Sequence, residues 1–382
     1  LPLLVALLGL ALIVVVLIDC FESILQPRRV TRLYRFARLY YIGLWALWRA
    51  VAARMSNPRR QAAFFSVFGP LSLLGIFAMW VLGLIVGFAL LNWALRTAVH
   101  SPEGGTTFAT YLYMSGTTFF TLGYGDVTPI TALGRAMAVG ESGLGFGFLA
   151  AVLSYLPVLF QAYSRREVSI ATLDARAGSP ASAAQLLLRM ARGGNMGAMD
   201  SFLREWEVWS ANLLESHLSF PVLGYYRSQH DNQSWLAALT MVLDACSVLM
   251  TQVKGSNLYQ AEVTFAIARH AAVDLTLVFR TPAEPPERER LTGAELTRLR
   301  EMLGAAGVEL HQGAAAEARL RELRGMYEPF VRALSGRLLL SLPEVVPATD
   351  GAPDNWQRSA WMRPVPGIGS LPSGTGNDEH FG

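Results

Sequence analysis

Residues 117–126 read "TTFFTLGYGD", a polar, glycine-bearing stretch set between two of the most apolar runs in the chain. Upstream, residues 68–95 ("FGPLSLLGIFAMWVLGLIVGFALLNWAL") carry no charge, and downstream residues 134–163 contain a single acid, Glu141. Runs of this length match what a helix needs to cross a hydrocarbon layer of ~30 Å at ~1.5 Å per residue. Between two such spans, backbone at membrane depth leaves the helical form only where it is buried in protein or lines a watery path. The segment before it, "FATYLYMSG" (108–116), has helical potential but is too short to cross. A re-entrant helix followed by an extended return is the economical reading.

Gly123 and Gly125 alternate with Leu122 and Tyr124, so the backbone there has access to conformations that a Cβ disfavours, and successive carbonyls can face one way. A row of carbonyl oxygens substitutes for the water around a cation, and the Thr121 hydroxyl adds one more oxygen at the inner end. Thr118, Thr121, Gly123, Tyr124, Gly125 and Asp126 stand as T-x-x-T-x-G-Y-G-D, which resembles the selectivity-filter signature of potassium channels. Downstream, "LGRAMAVGESGLG" (133–145) resembles the inner pore helix of that family.

The resemblance covers about residues 70–163. It implies an all-α membrane protein of the pore-loop ion channel class, with outer helix, pore helix, filter and inner helix in that order. Potassium would bind at Thr121, Leu122, Gly123, Tyr124 and Gly125 as the permeant ion, with Thr117, Thr118 and Asp126 in support and no cofactor implied. A single filter strand makes one wall, so the resemblance also implies a homotetramer. Two departures from the family pattern stand beside this. Phe120 occupies the place where Thr or Ser is common, and Leu122 the place of Val or Ile, which keeps a nonselective cation channel open as the alternative. A receptor or scaffold with a non-conducting pore-like region is the alternative of a different class. Pore-helix tryptophans that brace the filter in relatives are absent here. Tyr111 and Tyr113 are the nearest aromatic hydrogen-bonding residues, so Asp126 is braced differently.

Glu141 lies mid-span, where an unshielded charge costs roughly 2.5–3.5 kcal/mol on insertion scales. It is expected to face protein and to bond the pore helix around Thr117 or Thr118. Gly145 falls where the resemblance puts a hinge glycine, and Pro157 near the end of the span is a candidate kink and gate. The glycines at 140, 143, 145 and 147 equally fit close helix packing.

The chain as a whole supports a membrane reading. Of its 382 residues 52% are apolar and 16% charged, and the apolar residues crowd before position 163. "LPLLVALLGLALIVVVLI" (1–18) is a further uncharged span, within an N-terminal transmembrane segment drawn at 1–27. A basic interfacial or cytoplasmic segment follows at 28–67, then the pore domain at 68–163, with its outer helix starting at Pro70. Arg28, Arg29, Arg32, Arg35, Arg38, Arg49, Arg54, Arg59 and Arg60 place the 28–67 segment in the cytoplasm by the positive-inside rule, and Arg165 and Arg166 return the chain there. The expected location is the plasma membrane. Arg29, Arg32, Arg35 and Arg38 recur every third residue as in a voltage sensor, but only one span precedes them. An interfacial helix with Tyr40, Tyr41, Trp45 and Trp48 at headgroup level accounts for the segment better.

Residues 164–345 read as a helical cytoplasmic domain of segments too short or too polar to span, and 346–382 as a disordered tail. Thr292 and Glu295 form a capping-box pattern, and His270 and Asp274 are spaced for a buried structural pair. The net charge of +3, with Lys254 the sole lysine, gives no sign of nucleic-acid binding. Cys20 and Cys246 suggest neither a disulfide nor a zinc site, and no GxGxxG follows a strand, so no regulatory ligand is legible.

Overall fold

The computed structural model describes residues 2–24, 36–102, 104, 106–192, 196–229, 233–255, 258–285 and 289–347. Arg28, Arg29, Arg32 and Arg35, and the tail from 348, lie outside the described residues. Two units are present, residues 1–161 and 162–382.

The first unit is built on α1 (Pro2–Ile24), α2 (Phe36–Ala52) and α3 (Pro58–Ala94). The outer helix α3 starts at Pro58, twelve residues before the expected Pro70, which instead sits inside it. The local reason is a cap that hydropathy does not show. The Asn57 side chain accepts from the Arg59 and Arg60 amides, and Pro58 takes the first helical position, where a missing donor costs nothing. α1 packs along α3 at small residues, with a Cβ on Gly9 falling 2.8 Å from the Gly87 carbonyl oxygen.

One buried acid joins all three helices. The Asp19 carboxylate of α1 accepts from the Ala37 amide in the first turn of α2 (3.0 Å to Oδ2) and from Trp80 Nε1 of α3 (2.8 Å). Three of the four aromatic residues expected at headgroup level, Tyr40, Trp45 and Trp48, pack against α3. Trp45 is only 2% exposed and meets Phe65 and Phe68. Trp48 stacks on Phe64 and donates to its carbonyl, and the Tyr40 hydroxyl donates to the Ser72 carbonyl.

After α3 come β1 (Val99–His100), α4 (Phe108–Phe119), β2 (Thr128–Pro129) and α5 (Ala132–Ala177). β1 and β2 pair antiparallel, so the chain on either side of α4 and the loop after it is tied together. α5 begins with the Thr131 hydroxyl accepting from the Gly134 amide. It then runs 46 residues without a break, well past the expected end at 163. Hydropathy falls there because residues 164–177 are charged; helical order does not.

The second unit contains the end of α5 with α6 (Ala183–Arg192), α7 (Met199–Ser219), α8 (Trp235–Gln252), α9 (Leu258–Phe279), α10 (Gly293–Ala305), α11 (Ala314–Gly325) and α12 (Glu328–Leu338). Among the described residues α1, α3, α5 and α8 are long and apolar enough to cross a membrane. α8 is the exception to the expectation that no segment here qualifies, yet it is enclosed by α6, α9, α11 and α12 and is apolar all round because it is the core of this unit. The Thr292–Glu295 capping box forms at the start of α10. His270 and Asp274 approach to 3.8 Å, but His270 is 58% exposed, so the pair is not buried. Ordered packing reaches past 345: Val346 is buried and the Pro347 carbonyl accepts from Arg298.

Candidate functional site

The short helix α4 is positioned before the loop is. Thr107 caps it, exchanging hydrogen bonds with Thr110 in a reciprocal box. Tyr111 and Met114 pack with Ala89 of α3, and the Tyr111 hydroxyl donates to the Thr97 carbonyl at 2.7 Å. At its other end the chain turns sharply. Thr121 N donates to the Thr118 carbonyl (3.0 Å) and Leu122 N to the Thr117 carbonyl (2.8 Å), while the Thr117 hydroxyl donates back to Met114.

Thr121 (φ +55°), Gly123 (φ +62°) and Gly125 (φ +78°) all have left-handed backbone. The two glycines adopt it without penalty and nothing lies within 4 Å of the Cβ each lacks, so backbone conformation, not crowding, accounts for glycine here. Phe120, Leu122 and Tyr124 are 58%, 53% and 68% exposed on this single chain. The loop ends at Asp126, whose carboxylate accepts from the Tyr113 hydroxyl at 2.8 Å and from the Val127 amide at 3.0 Å. Tyr113 is therefore the brace that the tryptophan-free helix supplies.

Behind the loop, three helices meet at one hydroxyl. Ser115 of α4 lies 2.8 Å from the Ile85 carbonyl of α3 and bonds the carboxyl of Glu141 on α5, both polar side chains being buried. Glu141 does bond the pore helix, but at Ser115 and not at Thr117 or Thr118. The buried face of α4 is made by Tyr111, Met114, Ser115 and Phe119, and Thr117 and Thr118 lie beside it, only half-buried. Sequence reading missed Ser115; a polar residue four positions after Tyr111 in an apolar 12-residue helix was the available signal. One turn beyond Glu141, Gly145 faces the last turn of α4, where a Cβ would overlap the Phe119 carbonyl. Gly145 thus permits a close crossing. Neither it nor Pro157 interrupts α5, so the expected hinge and kink are not expressed as a break in the helix.

The second unit has two buried polar centres that sequence reading did not anticipate. Arg166, read from the sequence as one of two charges returning the chain to the cytoplasm, is 4% exposed. It donates to the Leu223 and Tyr226 carbonyls at 2.9 Å each, pairs with Glu167, and lies 3.4 Å from His217 Nε2. Burial first, and then the Arg166 charge, push the His217 pKa down to about 3, so the ring is neutral near pH 7. The other centre is Asp244, in the middle of α8. It receives Arg324 at 2.9 Å, Arg290 at 2.5 Å and the Tyr327 hydroxyl at 2.5 Å. Burial and the Asp244 charge hold the Tyr327 phenol well above its ordinary range. Among the described residues no group of His, Cys, Asp and Glu is arranged to hold a metal ion.

A capped helix too short to span, a glycine-alternating return loop, and apolar helices of spanning length on both sides together define a pore-loop membrane protein. The chain belongs to a family described as ion channel, whose sequence model matches residues 75–162, from α3 through α4 and the loop into α5. It is 32% identical over 91 residues to protein LctB of Bacillus caldotenax, a match covering 21% of this chain and 67% of that protein. Protein LctB of Geobacillus stearothermophilus is 31% identical over the same length and coverage. No solved structure matches. The family is one of channels, not of enzymes, and its members move ions passively across membranes.

Proposed function

We propose that the chain is a potassium-selective channel subunit, four copies of which surround one conduction path. The observation that carries this reading is the loop itself: left-handed Gly123 and Gly125 alternating with Leu122 and Tyr124, directly after a capped helix of 12 residues. In this reading the carbonyls of Thr121 to Tyr124 and the Thr121 hydroxyl replace the water shell of K⁺, and Gly125 completes the strand. Thr117 and Thr118 hold the turn at the inner end of the loop through their carbonyls, Tyr113 holds Asp126 at the outer end, and Glu141 anchors the pore helix from behind.

The tetramer is supported by what one chain leaves uncovered. Leu122 and Tyr124 of the loop, and Phe146, Leu149 and Leu153 of α5, are exposed apolar groups that neighbouring copies and lipid would cover. Gating by bending at Gly145 or Pro157, a plasma-membrane location and a cytoplasmic second unit belong to the same proposal, the last resting on the arginine asymmetry. Nonselective cation conduction is the second reading, favoured by Phe120 and Leu122.

The test is reconstitution of the full chain in liposomes loaded with K⁺, with mass measured for the detergent-solubilised protein. K⁺ efflux that disappears in Gly123→Ala, in a particle four chains in mass, is the expected result. Undiminished efflux through that variant would remove the loop from the conduction path.

A further inference from the structure

We infer that the corner between α2 and α3 is a docking surface for anionic glycerophospholipid headgroups. Arg49 near the end of α2, Arg54 in the turn, and Arg59 and Arg60 in the first turn of α3 are all exposed. None of these four guanidiniums meets a carboxylate among the described residues; Arg54 reaches only the Ala50 carbonyl, at 3.4 Å. Sequence explains why: no Asp or Glu occurs between Glu22 and Glu103. Cations are concentrated at this corner, and no described residue supplies a counter-charge there.

Position and rigidity say what supplies it. α3 has 37 residues and is about 55 Å long, so it outruns a hydrocarbon thickness of ~30 Å, and Arg59 and Arg60 in its first turn mark that end as the one at headgroup depth. Leu47 (61% exposed) and Val51 (39%) lie one turn apart on α2 with Arg54 about a turn further on, and Val67 (50%) is exposed on α3. Apolar side chains next to unpaired arginines are the layout of a surface that takes acyl chains on one level and phosphates on the next. The backbone that carries the arginines is fixed before any lipid arrives, since Trp48 and Trp45 lock α2 onto Phe64, Phe65 and Phe68. An anionic lipid therefore meets a preformed site, and the charge complementarity is with a phosphodiester in the same membrane.

The test uses the full-length protein in a neutral detergent, with phosphatidylglycerol or phosphatidylcholine added, and counts retained lipid by native mass spectrometry alongside the melting temperature. Wild type is expected to retain phosphatidylglycerol selectively and melt higher with it. Each arginine near a charged surface accounts for about a fivefold change in affinity, so Arg54→Gln/Arg59→Gln/Arg60→Gln should weaken retention by roughly a hundredfold, and the triple lysine variant much less. Because these side chains are exposed, the glutamine variant should fold. If it yields no protein, wild-type retention must still fall steeply with salt, as screening of exposed charge requires. Equal retention by wild type and the glutamine variant, no salt dependence, or stabilisation by inorganic phosphate alone would each overturn the inference.

Discussion

Removing the Ser115 hydroxyl is the sharpest structural perturbation behind the Thr121–Gly125 loop. Glu141 is 1% exposed and Ser115 is its hydrogen-bond partner among the described residues, so Ser115→Ala strands a buried carboxyl at membrane depth. An unsatisfied buried polar group costs roughly 1–3 kcal/mol. If that cost falls on the state in which α4 is seated, the seated population drops by roughly five- to a hundredfold relative to an unseated one. Glu141→Leu leaves Ser115 its bond to the Ile85 carbonyl, 2.8 Å away, and so should cost less than Ser115→Ala. The double variant removes both ends and should recover part of the loss. The assay is a double-mutant cycle on the melting of the purified assembly, repeated on the conducting lifetime in single-channel records. A coupling energy of about 1–3 kcal/mol is expected, with Glu141→Gln close to wild type. Strict additivity, within ~0.5 kcal/mol, would show that the two side chains do not act as a unit and refute the anchoring role.

Tyr113→Phe deletes the 2.8 Å brace on Asp126 and leaves its carboxylate to backbone amides such as Val127, so conducting bursts should shorten about fivefold while assembly melts as before; unchanged bursts would assign the brace elsewhere. Asp244→Ala removes the carboxylate on which Arg290, Arg324 and the Tyr327 hydroxyl converge and leaves the two arginines to share Glu328, so it should destabilise the second unit by about 3 kcal/mol, read as an earlier melting transition of the full chain. The His217 pKa is 6.5 unperturbed and about 3 in the folded protein, so between these values the unfolded state binds more protons than the native one. Stability of the second unit should therefore be full above pH 6.5 and fall by about 1.4 kcal/mol per unit as pH drops through that window. His217→Gln should flatten that slope, and a slope unchanged by the substitution would move its origin to other groups.

The pattern of legibility follows the range of the interactions. Thr292–Glu295 and the glycine alternation at 123 and 125 are local, and local chemistry can be read along a chain. The three apolar spans were legible because lipid imposes a composition, but their ends were not. α3 starts at an Asn57 cap rather than at a change in hydropathy, and α5 continues where charges begin because a helix leaving a membrane stays a helix. What sequence could not show was pairing across distance. Asp19 finds Trp80, Asp244 finds Arg290 and Arg324, and Arg166 finds the Leu223 and Tyr226 carbonyls, each partner set by tertiary packing. Glu141 shows both sides: its burial against the pore helix was legible from the cost of a mid-span acid, while the choice of Ser115 over Thr117 depended on which face of α4 is covered.

The central claim is that the Thr121–Gly125 loop selects potassium, and it is tested most directly by the reversal potential of the purified full-length protein in a planar bilayer with K⁺ on one side and Na⁺ on the other. The account predicts a strongly displaced potential of the sign that marks K⁺ as the permeant ion, preserved or enlarged in Leu122→Val. A reversal potential near zero in both proteins, with current flowing, would contradict potassium selectivity and leave a nonselective cation pore.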